Sequence, residues 1–358
     1  MNKIIYGGGF DPIHEGHINI ARLASKQLDG DVIFVPSHYP IWKIESAPVK
    51  DKLEMMKLAI KDEPRFFIDE FEINSGKSFN YSIDTVKYFK DKFPNDTLYY
   101  LIGADQVNRF HQWKSPEELS SLARIIYLSR PGYVENLENI EKFHITRLNG
   151  NAIDVSSSDI KTLRKLELDD NVLKYIEDKD LYFIREVKKH ISSKRYNHSL
   201  SVAHLAYKLA KYHNLDKPYK AYIAGLLHDI GKEIVKKHEM MKKHFPEYYD
   251  LPEFSYHQFL GVVLAKELFY IDDEEILNAI KFHATGNSNM SILDKLIYAC
   301  DKIDPTRGYD SNYLIDEMKK SIENGFLVVL KENKIFLEKN RGNIENRLTH
   351  ECFKEYLK

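Results

Sequence analysis

Gly7-Gly8-Gly9-Phe10-Asp11-Pro12-Ile13-His14-Glu15-Gly16-His17 decides the reading of the first half of this chain. It follows the apolar run Lys3-Ile4-Ile5-Tyr6 and leads into Ile18–Ala24, whose apolar spacing predicts an amphipathic helix. A strand, a glycine turn and a helix start make a seat for an anion. The glycines let backbone approach a ligand closely, and the helix N-terminus offers unpaired N–H groups at a positive dipole end. His14 and His17, three residues apart, share one face at the mouth of that helix.

Outward from this stretch, strand-like runs are expected at 2–6, 31–35, 66–72, 97–103 and 124–129. Helical patterns at 17–28, 50–61, 81–92, 105–109, 116–121 and 157–166 alternate with them. That alternation predicts an α/β fold, a doubly wound parallel sheet that binds ligands beyond the carboxyl ends of its strands. After Tyr182 the strand signal fades. Helices are expected at 183–192, 197–213, 217–229, 232–243, 256–269, 272–283, 290–302 and 311–332, forming an all-α second domain. The expected domains are 1–182 and 183–358, joined directly near 178–186.

The 358 residues are 30% charged and 43% hydrophobic, and the formal net charge is -2. There is no chain-wide basic field for nucleic acid, so an anionic ligand must be held by local charge. The two cysteines, Cys300 and Cys352, supply neither a disulfide framework nor a CxxC pair. No run approaches the length of a membrane span, and the residues before Gly7 are too few for a signal peptide. A cytoplasmic protein is expected. Of 15 histidines, five precede residue 182 and ten follow it, which favours a metal centre in the second half.

Further blocks recur in order after the opening stretch: Val35-Pro36 with Pro40 and Lys43, Asn80–Val86, Gly103-Ala104-Asp105, Trp113, Arg130-Pro131-Gly132 and Val155–Lys161. Together they resemble the nucleotidylyltransferase superfamily, specifically the bacterial nicotinate-mononucleotide adenylyltransferases. The resemblance implies that Gly7, Gly8, Gly9, Phe10, Ser157, Ser158 and Lys161 bind ATP with Mg²⁺, and that His14, His17 and Lys43 serve the phosphates. It assigns Ser82, Thr85 and Trp113 to a nicotinate pocket, Asp105 to the adjoining ribose or metal, and Arg130 to substrate. Three residues depart from the pattern: Gly9 replaces Thr or Ser, Lys161 replaces Arg, and Lys52 stands where Arg is common. Lys161 keeps charge but loses bidentate phosphate geometry.

In the second half, His228-Asp229 sits in an apolar context, where a buried carboxylate needs a compensating cation or hydrogen bonds. His198, His257, His283 and Asp301 accompany it. This ordered set resembles the HD superfamily of phosphohydrolases, with flanks similar to the YqeK-like symmetrical diadenosine tetraphosphate hydrolases. The resemblance implies a two-metal centre: His198, His228, Asp229 and Asp301 in one shell, His257 and His283 in the second, and Asp229 bridging. Imidazole and carboxylate donors suit iron, manganese or cobalt. Arg195, Lys232 and Arg307 are suited to the polyphosphate.

The expectation is therefore a bifunctional enzyme. It would make nicotinate adenine dinucleotide and pyrophosphate from nicotinate mononucleotide and ATP, and would hydrolyse diadenosine tetraphosphate to two ADP. Two alternatives stay open: another phosphorylated acceptor in the first half, or a helical half that senses metal or nucleotide without catalysis. Oligomeric state is not legible.

Overall fold

The computed structural model describes residues 1–37, 46–77, 80–129, 134–339 and 346–358. Lys43 and Arg130, with Pro40, Pro131 and Gly132, lie outside the described residues. The chain divides into two compact units, Met1–Ile160 with Glu167–Tyr182, and Lys161–Leu166 with Phe183–Lys358.

In the first unit the elements run β1 (Asn2–Gly8), α1 (Glu15–Leu28), β2 (Gly30–Pro36), α2 (Val49–Ile60), β3 (Phe66–Ile68), α3 (Phe71–Asn74), α4 (Ser82–Lys92) and β4 (Thr97–Gly103). They continue through α5 (Ala104–Val107), α6 (Pro116–Leu122), β5 (Arg124–Leu128), α7 (Leu137–Lys142), β6 (Thr146–Arg147), α8 (Ser157–Lys161) and α9 (Asp170–Asp178). The six strands form one sheet in the order β3-β2-β1-β4-β5-β6, every pair parallel. Ile4, Ile5, Phe34, Val35, Leu101, Ile102 and Ile125–Leu128 are buried, as expected for strands covered on both faces. The strand order reverses between β1 and β4. Gly8 and Gly103 end those two strands, so the glycine stretch lies at the switch point where such sheets bind ligands.

The helix expected at 157–166 ends at Lys161, and further expectations for this unit need correction. The strand expected at 66–72 stops at Ile68, because Asp69 accepts the Phe71 N–H and turns the chain into α3. Helices α3, α7 and α9 and the two-residue β6 have no counterpart among the expected elements. In α9 only Val172, Leu173 and Ile176 face inward, a short apolar signature.

The second unit is helical: α10 (Phe183–His190), α11 (Ser193–Tyr212), α12 (Tyr219–Leu227), α13 (Lys237–His244), α14 (Tyr256–Phe269), α15 (Glu274–Phe282), α16 (Ile292–Ile303), α17 (Asn312–Lys320), α18 (Ile322–Lys339) and α19 (Arg347–Tyr356). Asp273 caps α15 by accepting from Glu275 and Ile276 N–H, and Ser291 with Asp294 forms a capping box on α16. The single helix expected over 311–332 breaks at Ser321, which is extended and whose hydroxyl accepts the Asn324 N–H. At that corner a Cβ on Gly325 would come within 2.7 Å of Met318 backbone, so the glycine lets α17 and α18 close on each other. The helix expected from 232 starts only at Lys237, leaving Lys232 on a turn. Helix α19 was also unanticipated.

Candidate active sites

The mouth of α1 is built from short-range contacts. His14 is the N-cap residue, and His17 Nδ1 accepts the His14 backbone N–H at 3.3 Å. An Nδ1 that accepts leaves the neutral ring's proton on Nε2, which makes Nε2 a donor. The two imidazoles lie close together, with centroids 3.7 Å apart and planes tilted by 30°. Phe10 packs edge-on against His17, Tyr6 and Phe34, and this anchoring holds its φ of 43° in the left-handed region. Asp11 is buried and accepts from the Ala47 N–H and from the Tyr182 hydroxyl. Burial and the Asp11 carboxylate push the Tyr182 phenol far up.

Ser157, at the start of α8, donates its hydroxyl to the Pro12 carbonyl at 3.0 Å, which draws the late serine motif onto the opening stretch. Ser158 is exposed beside it. Lys161 ends α8 at a residue that clusters with the second unit. Gly8 lies over the Phe10 ring, whereas a side chain at Gly9 would meet nothing within 4 Å among the described residues.

Tyr100 joins the two ends of this site and was not singled out in the sequence. A Cβ on Gly7 would sit 2.7 Å from its hydroxyl, which donates to Ser82 Oγ at 3.0 Å. Trp113, half-buried, meets the Tyr100 ring edge-on at 6.1 Å. Gly7, Ser82 and Trp113 are thus brought together around one side chain. Thr85 is different: it is fully buried, and its hydroxyl donates to Glu72 at 2.7 Å, so it lines the core instead of an open surface. Burial raises the Glu72 carboxyl above its ordinary value. Asp105 is exposed just past Gly103 and accepts from Gln106. Lys52 is buried and donates to the Ser37 carbonyl.

In the second unit, close helix approaches assemble the His–Asp cluster. A Cβ on Gly225 would lie 2.7 Å from Ala203 Cα, and one on Gly231 would lie 2.3 Å from the His257 carbonyl oxygen. These contacts press α12 and its following turn against α11 and α14. His228, His257 and His283 then share one device: each Nδ1 donates to a carbonyl three residues back, of Gly225, Phe254 and Ile280, at 2.7, 2.7 and 2.8 Å. With Nδ1–H committed, each Nε2 carries its lone pair inward.

Those lone pairs converge. His257 Nε2 and His283 Nε2 are 3.1 Å apart, and each lies 3.4 Å from Asp229 Oδ1. His228 Nε2, fully buried, has no hydrogen-bond partner among the described residues and sits 3.5 Å from Asp301 Oδ1 and 3.8 Å from Asp229 Oδ1. His198 Nε2 lies 3.1 Å from Asp301 Oδ1. Two triads have mutually close ligand atoms, His198–His228–Asp301 and His228–Asp229–His283. Around Asp229 the buried lone pairs of His228, His257 and His283 face one another and the carboxylate, an arrangement that fits a bound cation, and the donor set suits a divalent transition metal.

Electrostatics keep the carboxylates ionised. Burial opposes ionisation of Asp229, but His228, His283 and Lys232 hold it well below the usual range. Burial likewise works against Asp301, and Lys302, His198 and His228 outweigh it. Burial would lower the His198 pKa, yet Asp301 and Asp304 push it up to about 9. Burial holds His257 and His283 below the ordinary histidine value.

Asp304 was missed in the sequence. It is fully buried and accepts from His198 Nδ1 at 2.6 Å, from Ser201 and from Thr306, so it orients the His198 ring. Its spacing of three from Asp301 was the available signal. Lys302, also missed, bonds to Asp301.

Beside the cluster is a cavity of about 720 Å³, whose lining includes Asp229, Lys232, Asp301, Arg307 and the aromatic rings of Phe254, Tyr309, Tyr313 and Phe336. Arg307 donates to Asp301 Oδ1 at 2.5 Å. Arg195 lies 4.0 Å from Asp229 and is held by Glu233 at 3.0 Å.

The cytidylyltransferase-like family matches residues 5–163, and the HD domain family matches residues 195–306. A Mycoplasma genitalium protein named "Probable nicotinate-nucleotide adenylyltransferase/Ap4A hydrolase" is 32% identical over 92% of this chain and 96% of its own length. The chain belongs to the nicotinate-nucleotide adenylyltransferase/Ap4A hydrolase family. The first half of this family member is also similar to an Aquifex aeolicus protein named "Probable nicotinate-nucleotide adenylyltransferase", 37% identical over 44% of this chain and 99% of that one. A crystal structure from Clostridium acetobutylicum, described as a predicted HD superfamily hydrolase involved in NAD metabolism, is 32% identical over 48% of this adenylyltransferase/hydrolase family member and 94% of its own chain, with a TM-score of 0.43. No described helix is long and apolar enough to cross a membrane.

Proposed function

We propose that this chain runs two reactions: adenylyl transfer from ATP to nicotinate mononucleotide in its first unit, and symmetrical hydrolysis of diadenosine tetraphosphate to two ADP in its second. The observation that carries the reading is the convergence of three buried, inward-facing imidazole Nε2 atoms on Asp229 and Asp301, in a chain that also holds the close His14–His17 pair at a switch-point helix mouth.

In the first reaction the attacking phosphate is already ionised at neutral pH, so no protein base has to activate it. The work is alignment and charge neutralisation at the α-phosphoryl group and the departing pyrophosphate. His17 Nε2–H and the α1 N-terminus donate to ATP phosphates, with Gly7, Gly8 and Gly9 giving close backbone approach. Ser157, Ser158 and Lys161 belong to the second phosphate motif, and Lys43 and Arg130 are assigned to phosphate and substrate on sequence alone. Mg²⁺ would accompany ATP and supply charge neutralisation at its phosphates. Trp113 offers an aromatic face for the pyridine ring, with Ser82 beside it through Tyr100. Thr85 acts from the core by steadying Glu72 and the start of α4.

In the second reaction His198, His228, Asp229, His257, His283 and Asp301 would hold a pair of divalent metals, iron, manganese or cobalt, with Asp229 shared. When bound, such a pair supplies Lewis acidity to the phosphate oxygens and to the attacking water. Lys232 and Arg307 hold the polyphosphate where they line the cavity, and Arg195 supports them from the Asp229 side. The cavity size and its aromatic rings suit a purine nucleotide. The substrates are small nucleotides without nucleic acid, and the setting is cytoplasmic.

The test is two assays on one preparation. ATP and Mg²⁺ are offered with nicotinate mononucleotide, nicotinamide mononucleotide or phosphopantetheine, and diadenosine tetraphosphate is offered with Fe²⁺ or Mn²⁺. Fastest turnover of nicotinate mononucleotide, and ADP as the sole cleavage product, support the reading. Preference for phosphopantetheine, or nucleotide binding without ADP release under either metal, rejects the corresponding half.

A further inference from the structure

Asp301 presents its two carboxylate oxygens to different neighbours. Oδ1 faces the histidines, 3.1 Å from His198 Nε2 and 3.5 Å from His228 Nε2, and also receives Arg307. Oδ2 receives the Lys302 ammonium at 3.1 Å. The same ammonium donates to the His283 carbonyl at 2.7 Å and reaches the Ala284 carbonyl at 3.4 Å. Its Nζ lies 4.0 Å from the centroid of the Tyr298 ring, and the side chain is only 17% exposed.

An ammonium has three donors and no acceptor. Here one donor goes to a carboxylate, and the others go to carbonyls at the end of α15 that the helix leaves unpaired. The side chain therefore bridges α16, which carries Asp301, to the residue that carries the His283 imidazole. Arg307 behaves differently, because it occupies Oδ1, the oxygen that a cation between His198 and His228 would need. Its bond competes with a metal there, whereas the Lys302 bond does not.

We infer that Lys302 is a positioning residue of the metal centre: it turns Asp301 so that Oδ1 faces His198 and His228, and it ties that carboxylate to His283. This rests on the reading of the His–Asp cluster as a metal site. It gives Lys302 and Arg307, which bond to opposite oxygens of the Asp301 carboxylate, opposite effects. Losing Lys302 releases Asp301 from its orientation, while losing Arg307 removes a competitor.

The experiment uses the full chain, stripped of metal and titrated with Mn²⁺ against a chelator of known affinity. Lys302→Met is expected to lower Mn²⁺ affinity by roughly 10–100-fold, the effect typical of outer partners of metal ligands. Lys302→Arg, which keeps the charge, is expected to recover part of that loss, and Arg307→Ala is expected not to weaken binding. Unchanged Mn²⁺ affinity in Lys302→Met overturns the inference, as does an equal loss in Arg307→Ala, which would reduce both residues to generic charge. If Lys302→Met does not fold, Lys302→Gln is measured against the same criterion. Wild-type protein that binds no Mn²⁺ would instead overturn the metal reading beneath the inference.

Discussion

His257 Nε2 lies 3.1 Å from His283 Nε2 while each ring's Nδ1–H is already given to a backbone carbonyl. Two neutral imidazoles arranged this way aim lone pairs at each other, and burial disfavours the proton that would relieve them. A bound cation removes the conflict. His283→Ala should therefore reduce metal content per chain and slow diadenosine tetraphosphate cleavage by more than the roughly 100-fold that outer partners control. Elemental analysis and an ADP-release assay check both, and full metal content in the variant would contradict the assignment.

The contact of Gly7 with Tyr100 yields a paired prediction. Gly7→Ala puts a methyl 2.7 Å from the Tyr100 hydroxyl, an overlap that costs about 1–3 kcal/mol or displaces the strand end. Adenylyl transfer should fall sharply. Adding Tyr100→Phe removes the clashing oxygen and should recover part of the rate, measured as pyrophosphate release. No recovery would mean that the glycine serves the ligand and not the tyrosine.

At Gly9 the outcome should be the reverse. No atom of the described residues lies within 4 Å of its side-chain direction, so Gly9→Ser should change stability by no more than about 0.5 kcal/mol. The ATP KM should stay level or fall, since a hydroxyl is gained near the phosphate motif. A large loss of stability would show that the position is sterically closed.

Glu72 supplies the pH dependence. Its folded carboxyl titrates above the ordinary 4.5, chiefly through burial, so the folded chain keeps a proton that the unfolded chain releases. Its contribution is therefore most favourable below about pH 4.5 and declines as pH rises through the raised folded value. Glu72→Gln keeps an acceptor for Thr85 and removes that decline. Urea midpoints of the first unit's transition should gain most over wild type toward neutral pH, and parallel profiles for the two proteins would contradict this.

Periodicity made much of the architecture legible. The helix expected at 256–269 is present over those residues, and the parallel sheet follows from apolar runs such as Leu98–Ile102. Local chemistry altered what periodicity suggested: Ser321 interrupts an apolar pattern that otherwise continues, and Asp69 turns a strand into a helix. Ligand-type residues stood out by identity, yet Tyr100, Asp304 and Lys302 did not. Their roles depend on partners distant in the chain, as with Asp304 and His198, or on a backbone carbonyl that carries no sequence signal, as with Lys302 and His283.

One chain holding two chemically separate sites is tested by a crossed assay of His17→Ala and Asp229→Ala. Both full-length variants, first shown to be folded, are given ATP with nicotinate mononucleotide and, separately, diadenosine tetraphosphate with metal. The account predicts that His17→Ala loses nicotinate adenine dinucleotide synthesis and still releases ADP, while Asp229→Ala does the reverse. A folded variant that loses both activities, or an Asp229→Ala protein that still cleaves diadenosine tetraphosphate at the wild-type rate, would contradict it.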